Sequence, residues 1–181
     1  MNRMVPPIDK THLDAYLGLN ITEICNNGFT CNEQQHCAHF VAHAIGYDGG
    51  YTCQTHMGGD HPAGNLRVHE IFHACPQVGK LEDAPTDRPV LLFITQECFV
   101  DLNALQMVRQ PKRHMGFFFE GMIYHYSNKV GNKKVIQQSV EEFCKYFENL
   151  YGAPQALFYG LFPGESPEHE TNPTMDSSQL V

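Results

Sequence analysis

The chain of 181 residues has no tryptophan, no basic run, and only 12 lysines and arginines against 20 acidic residues. With a net charge of −8, nucleic acid and anionic membrane surfaces are poor partners, since both are held mainly by clustered Lys and Arg. No apolar stretch approaches the ~20 residues a membrane span needs. The start, MNRMVPPIDKTHLDAYLG, lacks an apolar segment of secretory length, so no signal peptide is expected. That expectation leaves a cytoplasmic protein, or one exported by a leaderless route. What is present is apolar residues, at 42% with 12 Phe. They suffice for one core that buries about two-thirds of the unfolded surface. A single domain over 1–165 is expected, followed by a loose polar tail at 166–181. The seven cysteines are an odd set. One reactive thiol plus three disulfides is arithmetically open, but a leaderless chain favours mostly free thiols.

The periodicity predicts a short helix over 8–20, with Leu13, Tyr16, Leu17 and Leu19 as packing positions. A second helix starts between 32 and 36, where Asn32 and Gln35 are candidates for a capping box, and stops at Gly46. Its inward stripe is Cys37, Phe40, Val41, Ala44 and Ile45. His36, His39 and His43 fall mostly off that stripe; they have metal-ligand spacing but read as a solvated face and are assigned no role. Residues 47–64 are Gly-rich and read as a loop, and 66–73 as a short helix ended by Pro76. Strands follow at 90–96, 114–119, 122–127 and 133–139, then a helix at about 140–150 and a last strand in ALFYGLF. Helices followed by an antiparallel meander give an α+β fold, with N-terminal helices packed on the sheet.

Glu120-Gly121 between two β-rich runs suits a two-residue hairpin turn. In that register Phe119 faces Met122, Gly116 faces His125 and His114 faces Ser127. Alternation then puts His114, Gly116, Phe118, Ile123, His125 and Ser127 on one face. His114 and His125 become diagonal neighbours at roughly 7–8 Å, within side-chain reach, and Gly116 leaves room for the imidazole opposite. Met115, Phe117, Phe119, Met122, Tyr124 and Tyr126 supply an apolar layer on the other face. A cysteine on an apolar helix face is by itself most often core filling. Its conjunction with two same-face histidines points instead to thiol chemistry. A helix start and a neighbouring imidazolium lower a thiol pKa from about 8.5. His114 would take the thiol proton, His125 would orient His114, and the Cys37 amide would serve an oxyanion hole.

HCAHFVAHAIG and HMGFFFEGMIYHYS resemble the Cys-bearing helix and the His-bearing strand pair of the NlpC-like branch of papain-fold cysteine peptidases and amidases. The resemblance implies a papain-like fold, with Cys37 as nucleophile, His114 as base and His125 as third polar residue, in unpermuted order. It implies no cofactor, and as substrate the peptide stems of bacterial cell wall. With no leader expected, it also suits an effector of the type VI amidase kind, opposed by an immunity-type inhibitor protein. The chain departs from the family in having His36-Cys37-Ala38 at the nucleophile and a long insert at 47–88. Lecithin–retinol-type lipid acyltransferases share a comparable segment, but with His before Cys.

His69-Glu70-Ile71-Phe72-His73 is a competing motif, matching the two-His, one-Glu helix of zinc peptidases. Pro76 ends its helix within a turn, and a third ligand is needed, with Glu97 at a strand end the nearest candidate.

Overall fold

The structure is a computed structural model that describes residues 7–26, 28–46 and 67–166. The predicted 47–64 loop, most of the tail and the N-terminal half of the 47–88 insert lie outside the described residues. The helices are α1 (Lys10–Ala15), α2 (Ile21–Ile24), α3 (Cys37–Ile45), α4 (Val68–Ala74) and α5 (Val140–Tyr151). The strands are β1 (Val78–Lys80), β2 (Val90–Thr95), β3 (Val100–Asp101), β4 (Gln106–Met107), β5 (His114–Phe119), β6 (Met122–Ser127), β7 (Lys134–Ser139) and β8 (Ala156–Gly160). Six of them form an antiparallel sheet in the order β1-β8-β2-β5-β6-β7, and β3 pairs with β4 apart from it. The fold is α+β. No helix among the described residues is long and apolar enough to cross a membrane.

The sheet is covered on both faces. On one face Leu13, Ile21, the stripe of α3 and Ile71 and Phe72 of α4 join Leu91, Phe93, Met115, Phe117, Tyr124 and Tyr126 in one buried cluster. On the other, Phe143 and Phe147 of α5 close over Leu92, Ile94 and Ile123. β2 reads as an unbroken apolar run, VLLFIT, because every one of its residues is buried. The edge at β7 is not left open. Gly18 donates to the Val135 carbonyl and Val135 to the Leu19 carbonyl, both at 2.9 Å, so the α1–α2 link pairs with the outer strand.

One cap and one helix length differ from the sequence expectation. Asn32 does not cap α3, since a turn closed by Gln34 on Cys31 intervenes. His36 is the N-cap and offers no side-chain cap bond; its amide donates to Asn128 Oδ1 at 3.0 Å. The predicted 8–20 helix is shortened to Lys10–Ala15, capped by Asp9, and the unexpected α2 follows beyond it, with Asn20 building a capping box with Glu23. Gly46 does close α3, at φ 65 in the left-handed region.

Candidate functional site

The β5–β6 hairpin has the expected register, Phe117 opposite Tyr124, Phe118 opposite Ile123 and Phe119 opposite Met122. Glu120 and Gly121 both take positive φ, 49 and 78, as a type I′ turn requires. His114 and His125 therefore share a face, with His114 Nε2 2.9 Å from His125 Nδ1. A Cβ on Gly116 would fall 2.8 Å from His125 Cβ and against the Tyr124 carbonyl, so the missing side chain is what admits that imidazole.

A third residue orders the pair. His125 Nε2 lies 2.7 Å from Gln138 Oε1 on β7. An amide oxygen only accepts, so His125 Nε2 carries the hydrogen and its Nδ1 carries the lone pair. His114 Nε2–H donates into that lone pair, which leaves the lone pair of neutral His114 on Nδ1. The aromatic rings of α5 complete the surroundings. His114 stacks on Phe147 with centroids 4.6 Å apart, and Phe143 meets His125 edge-on at 4.9 Å. Burial holds both rings neutral, His114 well below the ordinary histidine value and His125 at about 4; the neighbouring imidazole lowers His114 further, while the Gln138 bond partly offsets the shift of His125.

Cys37 is the first residue of α3 and is only 4% exposed. Burial pushes its thiol pKa up, opposed by the amides of Ala38 and Met115 and by the Arg113 charge. This overturns the expectation of a thiol lowered by the helix start. Burial outweighs the amides, and a neutral His114 supplies no cation. Met115 directly follows His114, so the thiol reaches the start of β5. It does so from the α3 side, whereas the His114 ring lies on the α5 side. Among the described residues the thiol makes no hydrogen bond to either histidine.

Two cavities meet at this corner, and Gln35 and Pro111 line both. One, of about 330 Å³, is bounded by His114, His125, Phe147, Leu150 and Tyr151. The other, of about 230 Å³, is bounded by Cys37, Ala38, Arg67 and Arg113. The Nε atoms of Arg67 and Arg113 are buried with no hydrogen-bond partner among the described residues. In a chain with so few cations, two arginines facing the thiol form a cationic wall.

The other histidines resolve differently. His69, Glu70 and His73 do lie on α4, but Glu70 Oε2 accepts from the Arg67 amide at 3.1 Å as a helix cap. His73 is exposed, and these residues join no metal-binding group among the described residues. His36 and His39 are not on a solvated face: they are 2% and 1% exposed and hydrogen-bonded to one another, with His43 half-buried beside them. Cys31, Cys37, Cys75, Cys98 and Cys144 are free thiols.

No protein-family model, curated protein or solved structure matches the chain. Gln35, Arg67, Arg113 and Gln138 were not legible as site residues. The signal for Gln138 was available, because carrying the hairpin alternation across to 133–139 puts every second residue of β7 on the histidine face.

Proposed function

We propose that this protein is a cysteine hydrolase of papain-like fold, cleaving amide bonds by Cys37, His114 and His125, with cell-wall stem peptides as substrate. The observation that carries the reading is the Gln138–His125–His114 relay, which leaves the lone pair of His114 on Nδ1, the ring nitrogen not engaged by His125. Cys37 stands at the same strand start, one peptide away. The thiol and the His114 ring lie on opposite sides of β5, so the thiol proton has to pass around the strand start, where the two cavities share Gln35 and Pro111, to reach His114 Nδ1 as sulfur bonds the substrate carbonyl carbon. The resulting imidazolium is held by His125 through Nε2–H, and the oxyanion faces the first-turn amides of α3. His114 then returns the proton to the leaving amine, and water, deprotonated by the same nitrogen, hydrolyses the thioester.

Gln138 and His125 act as positioning groups, and Arg67 and Arg113 bear on substrate. Paired guanidinium groups beside the nucleophile suit a carboxylate next to the scissile bond. Stem peptides carry such carboxylates.

The aromatic wall of α5 beside His114 supports a second reading, acyl transfer from a lipid. The two separate in one experiment. Purified peptidoglycan and a long-chain lipid ester are each incubated with wild type and with Cys37→Ala, and products are read by mass. Release of stem fragments by wild type alone is expected. Activity that persists in Cys37→Ala and disappears with chelator would sink the thiol reading, and acyl transfer without stem release would favour the second.

A further inference from the structure

The buried histidines of α3 lie beside Cys25, which follows α2. His39 and His43 are one helical turn apart, and their Nε2 atoms are separated by 3.1 Å. With the Cys25 sulfur and one ring nitrogen from each histidine, the donor atoms all lie within 4.8 Å of one another. Around a tetrahedral zinc ion with Zn–N of about 2.0–2.1 Å and Zn–S of about 2.3 Å, donors sit roughly 3.3–3.7 Å apart. The group is therefore close to the spacing that one ion imposes.

The hydrogen bonds behind it run the way a metal site needs. His36 Nε2 lies 2.8 Å from the Cys31 carbonyl, which only accepts, so that nitrogen carries the hydrogen. His36 Nδ1 must then accept, and its partner at 3.0 Å is His39 Nδ1, which donates. The lone pair of His39 is thereby fixed on Nε2, the atom facing His43. A ligating histidine characteristically donates its other N–H to an acceptor that orients it, and here His36 and the Cys31 carbonyl do so. Cys25 is 3% exposed and His39 1%, while His43 is half-buried and marks the side from which an ion enters.

We propose that Cys25, His39 and His43 bind one zinc ion as a structural site, with its fourth position open to a further donor. Thiolate and imidazole are the donors that select zinc over magnesium or calcium. Binding releases one proton, from the Cys25 thiol, as the S–Zn bond forms. His43 moves its hydrogen from Nε2 to Nδ1, and His39 changes nothing. The ion joins α2 to α3 two residues beyond Cys37, and so holds the helix that carries the thiol. This is independent of the hydrolase reading.

The test uses the full chain, with zinc alone and with cobalt(II) as its spectroscopic substitute. Dialysis against zinc is expected to give one ion per chain and a raised melting temperature that chelator reverses. Cobalt is expected to show a thiolate-to-metal charge-transfer band that disappears in Cys25→Ser. His43→Gln, at the half-buried position, is expected to weaken binding by at least about tenfold. Cys37→Ala should keep the band, which separates this site from the proposed catalytic thiol. No stoichiometric zinc and no charge-transfer band in wild type would overturn the proposal, as would a band that survives Cys25→Ser or disappears in Cys37→Ala.

Discussion

The chemistry of His114 and His125 depends on where two hydrogens sit, and Gln138 decides both. Gln138→Ala removes the acceptor at 2.7 Å from His125 Nε2 and frees the tautomer. Losing about 1 kcal/mol of orientation corresponds to a roughly fivefold fall in kcat. KM is expected to hold, and Gln138→Glu, which keeps an acceptor, to retain most of the rate; steady-state kinetics on a stem peptide checks this. Gly116→Ala is more severe, because the new methyl meets both the His125 Cβ and the Tyr124 carbonyl. Crowding of that kind costs about 1–3 kcal/mol, read as a lower denaturant midpoint. The pairing of His114 with His125 was legible because a two-residue turn fixes register and register fixes faces, whereas the place of Cys37 on the α3 side of the sheet, away from both rings, was not. For Gln138 alternation narrows the choice only to every second residue of β7, because the six-residue 128–133 connection leaves the β6–β7 register open. Arg67 and Arg113 come from separate segments that only the tertiary fold brings to Cys37.

At the scale of elements, α5 is the piece whose position mattered most. Its existence was readable from its pattern, but not that it would lie across the histidine face and make those rings neutral. Ser139 caps it, with its hydroxyl accepting from the Glu142 amide at 3.2 Å. Ser139→Ala should cost about 1 kcal/mol in thermal or chemical unfolding. Phe147→Ala should cost about 3–5 kcal/mol, and it also hydrates His114. With less desolvation the His114 pKa rises toward its ordinary value, so the acid limb of the rate profile should move to higher pH. An unmoved acid limb in a folded Phe147→Ala protein would show that α5 does not set the state of His114. The off-stripe histidines of α3 were misjudged from a helical-wheel view, since α2 and the 31–34 turn cover the side that one helix alone leaves open.

For the whole molecule, the neutral histidine pair ties stability to pH. His125 binds a proton near 6.5 when unfolded and near 4 when folded, and His114 shifts in the same direction. Between those values the unfolded chain holds more protons, so stability rises with pH across the window. Their contribution is complete above about pH 6.5 and is lost as pH falls toward 4. Urea midpoints at pH 7 and pH 4.5 should show the decline, and His125→Gln should lessen it without removing it, since burial also lowers His36, His39 and His43. The α+β class and most of the helix and strand order could be read from periodicity, because both sheet faces and every long element carry strong apolar patterns. The short β1, β3 and β4 could not, since two or three residues carry no period. The most direct measurement of the central claim is mass analysis of peptidoglycan digested by wild type and by Cys37→Ala. Stem fragments cut at an amide beside a carboxylate, formed by wild type and absent with Cys37→Ala, are the predicted result; intact stems with wild type, or the same fragments from Cys37→Ala, would contradict it.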